Sequence, residues 1–263
     1  MAQIDRAFGR QAFGNDPANY DAARPPYPDW VFDELRACGL GPGAAVFEIG
    51  AGTGTATRPM LAAGANPLVA IEPDPRLAAF LRTAAASPGL RLLTEIFEAA
   101  DLPEDLFDLG IAATSFHWLD ENAALAKIAR LLKPGGWWAA LWNVFGDDSQ
   151  PDPFHDATDE LLNGPASPSG GEGGVPFALD SAARIAAISR TFAFEPAHCR
   201  VSHWPLHLDA DQTARLYSTY SNITARPDRD AVLAELRRIA EAEFGGRVTR
   251  NMTTVLYTAR RHS

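Results

Sequence analysis

The stretch VFEIGAGTGT at positions 46–55 constrains this chain more than any other part of its sequence. Val46–Ile49 is a short apolar run bounded by Gly43 and Gly50, which reads as a buried strand. Glycines at 50, 52 and 54 follow at once, where the strand gives way to a helix. Glycine suits such a place because the backbone turns tightly and a ligand can lie directly against it. In an open α/β sheet this turn sits at the switch point, where ligands bind.

The residues downstream supply the sheet that this turn demands. A helix is expected over 55–63, ending near Gly64, then a second buried strand over 68–71. Asp74 and Pro75 make a helix start, with a carboxylate at the N-cap and proline at the first helical position. That helix carries Leu77, Phe80 and Leu81 on one face. Strands are expected over 90–97, 107–112 and 137–142. Between the last two, Asp120 opens a helix with Leu125, Ile128, Leu131 and Leu132 at helical spacing, stopped by Pro134-Gly135-Gly136. Alternation of this kind makes a doubly wound, mostly parallel sheet with helices on both faces.

The second half is less regular. Residues 163–174 are rich in Gly, Ser and Pro and read as a mobile lid or a surface insertion. Asp209 with Gln212 comes close to a capping box opening a helix through Tyr217. Residues 228–244 form an amphipathic helix with Leu233, Leu236, Ala240 and Phe244 aligned, and 248–259 read as a closing strand. The expectation is a single domain over 1–263. Its core runs from about 30 to 145, with closing strands near 190–206 and 247–259 and C-terminal helical elaborations over 147–190 and 209–245.

Composition narrows the partners. Lys+Arg 23 against Asp+Glu 33 leaves a formal charge of −10, which makes a poor generic binder of nucleic acid or anionic membrane. Two cysteines, Cys38 and Cys199, are too few for a disulfide scaffold or a zinc ribbon. No apolar run reaches membrane-spanning length, and the first 20 residues lack a signal-peptide core, so a cytoplasmic protein is expected. Lys127 and Lys133 are the only lysines, which reads as compositional bias.

Three details sharpen the glycine turn. A dinucleotide fingerprint would need glycine at 55, where Thr55 stands, and no Walker lysine follows. Glu48 lies two residues before the first glycine, where its carboxylate suits a cationic amino group better than a pyrophosphate. Glu72 closes the second strand, where a carboxylate accepts from both hydroxyls of a ribose. Glu98 and Ala99 close the third, where a carboxylate and a backbone N–H suit an adenine edge. Three acids at three strand ends around one glycine turn describe a pocket for a cationic nucleoside.

The run Glu48-Ile-Gly-Ala-Gly-Thr-Gly54, Glu72, the segment 98–103, Phe107-Asp-Leu109 and Leu132-Lys-Pro-Gly-Gly136 together resemble the ordered motifs of class I S-adenosylmethionine-dependent methyltransferases. The segments 20–28 and 115–118 are further similar to the small-molecule branch that includes trans-aconitate methyltransferase-like proteins. The resemblance implies a seven-stranded Rossmann-like sheet, S-adenosylmethionine as cofactor with S-adenosylhomocysteine as product, and a small-molecule acceptor with an O, N or C nucleophile. It implies that Glu48 orients the methionine amino group, that Gly50, Ala51 and Gly52 contact the methionyl part, and that Glu72 holds the ribose. Glu98 and Ala99 would hold the adenine, with glutamate where the family has aspartate. Tyr20, Arg24 and Ser115 would complete the cofactor site.

On the acceptor side, His117 follows the fourth strand and reads either as a group that orients or deprotonates the acceptor or as a histidine packed beside an aromatic. Tyr27, Trp118, Asn143, Tyr217 and Tyr220 are candidate acceptor-lining residues, each with an ordinary packing role as the alternative. His198, Cys199, His203 and His207 match no closed zinc spacing, so no metal is expected. The competing readings are an RNA or protein methyltransferase, a nicotinamide-dependent oxidoreductase, and a binding module that keeps the pocket without the chemistry.

Overall fold

The computed structural model describes residues 4–145, 150–171 and 174–263. Seven strands form one sheet: β1 (Val46–Ile49), β2 (Leu68–Ile71), β3 (Leu90–Leu93), β4 (Phe107–Ala113), β5 (Leu132–Phe145), β6 (His198–Asp209) and β7 (Arg247–Arg260). Their order is β3-β2-β1-β4-β5-β7-β6. The first five run parallel, while β7 enters antiparallel between β5 and β6. This is the expected doubly wound α/β sheet, and chain order reverses between β1 and β4. The turns after those two strands diverge there and leave a crevice at their carboxyl ends.

The helices in chain order are α1 (Arg6–Gln11), α2 (Pro17–Ala23), α3 (Asp29–Ala37), α4 (Thr57–Ala62), α5 (Pro75–Ala84), α6 (Glu121–Leu131), α7 (Pro153–Leu162), α8 (Ser181–Arg190), α9 (Ala210–Tyr217), α10 (Ser221–Thr224) and α11 (Arg229–Phe244). Several begin as their sequences dictate. Asp74 and Asp120 cap α5 and α6 through their carboxylates, and Pro75 takes the first turn of α5. Asp209 and Gln212 form a full reciprocal capping box on α9. α11 buries Val232, Leu236, Ile239 and Ala240 and ends at Gly245 in the left-handed conformation.

Two apolar layers sandwich the sheet. One centres on Phe47, Phe107, Ile128, Trp138 and Tyr257, the other on Leu35, Met60, Leu81, Leu109 and Leu141. A third cluster gathers Phe154, Tyr217, Leu236 and Val248 beneath the C-terminal helices. Gly110 in β4 exists for this packing: a Cβ there would sit 2.2 Å from the ring of Phe47.

Four elements differ clearly from their expected bounds, among them β6, which starts at His198 rather than near 190 and runs on to Asp209. β3 stops at Leu93 rather than 97, because residues 96–100 form a turn in which the Ile96 carbonyl accepts from the N–H of Ala99 and Ala100. α4 begins at Thr57, two residues after the expected 55, since the glycine turn runs on to that point. Pro134-Gly135-Gly136 does not stop the chain ahead of β5 but bulges within it: Phe107 pairs with Leu132 while Leu109 pairs with Trp137. Part of the expected 147–190 insertion, at 147–149, and part of the expected lid at 163–174, at 172–173, fall outside the described residues.

Candidate functional site

The cleft lies over the carboxyl ends of β1, β2 and β4 and has two lobes. One, about 620 Å³ including its mouth, is walled by Leu77, Ile96, Phe97, Glu98, Trp118 and Leu119, with Glu72 and Ser115 at its floor. The other, about 560 Å³, is walled by Arg24, Tyr27, Glu48, Ala51, Thr53, Asn143, Tyr220 and Met252. Tyr20, Gly50, Gly52, Ala113 and Thr114 border both lobes, so the glycine turn is the ridge between them.

Gly50 takes φ +68, and a Cβ on it would lie 2.6 Å from the Cβ of Ser115, whose hydroxyl donates to the Ile49 carbonyl. Both the left-handed backbone and the closeness of β4 therefore require glycine there. Opposite it, Thr114 adopts φ 57, a strained conformation for a β-branched residue, and its hydroxyl bonds Tyr27 Oη at 2.7 Å. A strained residue at the ridge of a cleft is where fixed geometry serves a ligand.

Two carboxyl groups lie buried beneath the ridge. Glu48 is 1% exposed and accepts from the Thr57 hydroxyl at 2.6 Å. Burial pushes it up to about 8, against the smaller lowering effect of that hydrogen bond. Glu72 accepts from the N–H of Gly52 and of Asp74, each at 2.8 Å, and burial pushes it up to about 7. Neither pairs with a cation of the chain at ion-pairing distance among the described residues, although Arg58 acts on Glu48 from further away; the Glu72 charge adds to the cost of ionising Glu48, and the Asp74 charge to that of Glu72. Two buried acids without a partner cation suit a ligand that brings one.

The roof comes from the N-terminal segment. Arg58 of α4 bonds Asp21 of α2 at 2.9 Å and the Thr53 carbonyl at the same distance. Arg24 donates to the Thr219 carbonyl at 2.7 Å, and Asn19 to Ser218, which fastens α2 to α9. Arg10 reaches from α1 to Glu98 and to the Trp118 carbonyl. Phe13 packs against both Tyr20 and Trp118.

The expected site residues divide clearly. Tyr20, Arg24, Glu48, Gly50, Ala51, Gly52, Glu72, Glu98 and Ser115 all border the cleft, as do Tyr27, Trp118, Asn143 and Tyr220. Ala99 does not; its N–H is spent on Ile96 within the turn, so the backbone donor expected of it is already engaged. Tyr217 lies beyond Tyr220, in a separate cavity. His117 stands behind the wall: it is 6% exposed, its Nδ1 accepts from Trp142 Nε1 at 3.1 Å, and burial pushes its pKa down to about 3. These surroundings are those of a histidine packed among aromatics, the second of its two expected readings. Asn143 bonds Pro25, Pro26 and Thr254, which pins the N-terminal segment to β5 and β7.

Sequence reasoning missed Arg10, Phe13, Thr53 and Thr114; Thr53 carried a signal in its place within the glycine turn and Thr114 in its place directly after the fourth strand. His198, Cys199, His203 and His207 are spread along β6, with His203 and His207 bonded to Thr253 and Thr249. Among the described residues no helix is long and apolar enough to cross a membrane.

Residues 47–140 match the methyltransferase domain family. An uncharacterised methyltransferase-like protein of Schizosaccharomyces pombe is 32% identical over 54% of this chain and 54% of its own length, so the chain spans about half the length of the curated relatives it matches. A putative type II methyltransferase of Anaeromyxobacter dehalogenans shares the fold at TM-score 0.58 and 23% identity, over 90% of this chain and 97% of that one. A Haemonchus contortus phosphoethanolamine N-methyltransferase, solved with phosphomonomethylethanolamine and S-adenosylhomocysteine, shares it at TM-score 0.58 and 11% identity, over 95% and 58%. The fold is that of class I methyltransferases.

Proposed function

We propose that this protein is an S-adenosylmethionine-dependent methyltransferase acting on a small-molecule acceptor. The observation that carries the reading is the buried acid pair Glu48 and Glu72 beneath a glycine ridge, in a chain whose segment 47–140 matches the methyltransferase domain family. A cation delivered to that place offsets the desolvation that now holds both carboxyls partly protonated. Thr53 lends further support: its hydroxyl is buried in the wall of the Glu48 lobe with no partner.

Bound in the cleft, S-adenosylmethionine supplies an electrophilic methyl group whose leaving group is a neutral thioether. Glu48 and Thr53 would hold its amino acid end. Glu72 would hold the ribose, since a carboxylate has about four acceptor positions and only two are taken by Gly52 and Asp74. Ile96, Phe97, Trp118 and Leu119 form an apolar slot suited to an adenine, with Glu98 at its edge. The slot, Tyr20 and the roof of α1 and α2 keep water out.

Alignment supplies most of the rate, on the order of 7–11 kcal/mol in well-oriented systems. A general base is not essential, which agrees with His117 lying outside the cleft. A small acceptor suits the space left beside the amino acid end of the cofactor, whose walls are Tyr27, Tyr220, Arg24 and Met252.

The test is calorimetry with S-adenosylhomocysteine. The protein should bind it and leave the nicotinamide cofactors unbound. Glu72→Ala should weaken that binding by about 1.5–3 kcal/mol, the scale of a hydrogen bond to a charged group. An affinity unaffected by the substitution would take the ribose role from Glu72, and binding of a nicotinamide cofactor instead would overturn the reading.

A further inference from the structure

Three residues hold α2 in place, Asn19 and Arg24 against α9 and Asp21 against α4. The chain ahead of it is fastened differently. None of residues 4–16 belongs to the three apolar clusters among the described residues. Phe8 is 46% exposed, and the far end is tied by one backbone bond, from the Ile4 N–H to the Ala166 carbonyl at 2.8 Å. α1 has six residues, too few to persist as a helix in water by itself. A short helix with few apolar contacts opens at low cost while the core stays folded.

Two arginines close this segment down. Arg76, in the first turn of α5, lays Nε and Nη2 against the two oxygens of Asp74 at 2.9 and 2.7 Å. Asp74 is fully buried and caps α5, so it fixes the plane of the guanidinium. The remaining N–H groups then meet the segment: Nη1 donates to Asn15 Oδ1 at 2.5 Å and Nη2 to the Gln11 carbonyl at 2.6 Å. Gly14 shares that seat, since a Cβ on it would lie 2.0 Å from Asp74 Oδ2. Arg10 makes the second fastening, to Glu98 at 2.5 Å and to the Trp118 carbonyl at 2.9 Å.

Both fastenings end at the acids of the adenine–ribose lobe. The Asp74 N–H donates to Glu72, and Glu98 lines the lobe together with Arg10 and Phe13. Glutamate at 98 is one methylene longer than the aspartate of the resembling family, which extends its reach toward Arg10. We propose that residues 4–16 are a gate over this lobe, with Arg10 and Arg76 as its positioning residues. The gate opens to pass S-adenosylmethionine and its product, and it closes when the two arginines engage. A ligand in the lobe gives Phe13, Glu72 and Glu98 fixed partners, so occupancy and closure favour each other. This rests on the methyl-transfer reading above, and it adds to that reading the element that controls cofactor entry and release.

Hydrogen exchange of the full chain, read by mass spectrometry, tests the gate directly. In the free protein the amides of residues 5–16 should exchange at least about tenfold faster than those of β1, and saturating S-adenosylhomocysteine should slow them by at least about tenfold. Gly14→Ala wedges the seat without removing a charge, and Arg10→Met releases Glu98 while leaving Asp74 untouched. Each should raise the dissociation rate of S-adenosylhomocysteine, followed by tryptophan fluorescence in stopped flow, by about tenfold, the size of a lost charge-assisted hydrogen bond. The free variants should melt with the parent, since the segment lies outside the apolar core. Arg76→Met should speed dissociation as well, and Arg76→Lys should restore little, because an ammonium cannot span Asp74, Gln11 and Asn15 at once.

A dissociation rate equal to the parent's in either Gly14→Ala or Arg10→Met would overturn the gate. So would amides of residues 5–16 that exchange as slowly as β1 in the free protein, or that bound S-adenosylhomocysteine leaves unprotected. If S-adenosylhomocysteine does not bind at all, the methyl-transfer reading falls. The gate is then decided by exchange in the unloaded proteins: faster over residues 5–16 in both variants than in the parent upholds it, and no difference refutes it.

Discussion

A histidine beside a cleft invites a proton-transfer role, whereas the neighbours of His117 favour a packing one. Trp142 donates to its Nδ1, so the ring proton resides on Nε2, and burial together with the nearby Arg24 charge keeps the ring neutral well below physiological pH. The same group in a wet setting would titrate near neutrality, which is why residue type and position in the chain could not decide its role. His117→Phe should leave S-adenosylhomocysteine affinity and the pH profile of turnover unchanged. It should lower stability by about 1–3 kcal/mol in a denaturant titration, the cost of stranding the Trp142 N–H. A pH profile that shifts in the variant would return His117 to the chemistry. Glu98 makes a related point: its carboxylate is recognisable in the sequence, but its ion pair with Arg10 joins residues far apart in the chain and leaves no local signature.

Among the elements, those built from local signals were the most legible. The caps of α5, α6 and α9, the runs of β1 and β2, and the glycine turn all follow from neighbouring residues. The errors came where a distant partner intervenes. The sequence Thr94-Glu-Ile-Phe97 beyond Leu93 reads as strand, but Lys127 from α6 gathers the carbonyls of Phe97, Glu98 and Ala100 at 2.5 to 3.3 Å and holds that segment as a turn. In a chain that otherwise uses arginine, lysine here is no compositional accident: a compact ammonium serves three carbonyls, where a planar guanidinium fits poorly. Lys133 likewise pairs with Asp108, whose other oxygen accepts from the Ala45 N–H beside β1. Lys127→Met should destabilise the protein by roughly 1–3 kcal/mol and weaken S-adenosylhomocysteine binding, because Ile96, Phe97 and Glu98 wall the cleft. Lys127→Arg should restore little of either, and full rescue by arginine would show that charge alone matters.

For the molecule as a whole, the buried acids couple pH to stability and to binding. Glu48 and Glu72 carry pKa values raised to about 8 and about 7, so the fold favours their protonated forms. Their contribution is complete below the ordinary carboxylate range and is lost as pH rises through about 7 to 8. The free protein should therefore melt lower at about pH 8.5 than at about pH 6, and Glu48→Gln should flatten that slope. The ammonium group of the ligand selects the charged form of Glu48, so S-adenosylhomocysteine should bind with proton release and stabilise the protein more at the higher pH. Parallel melting curves for Glu48→Gln and its parent would refute the coupling.

The insertion of β7 between β5 and β6 has a consequence for biosynthesis. As the ribosome delivers the polypeptide, β6 emerges with no neighbour to zip against, and the outer margin of β5 stays bare as well. Both margins are sealed in a single late event, when Arg247–Arg260 slots between them. Until then the nascent product offers two sticky borders to any passing strand, the interval in which a chaperone would matter most.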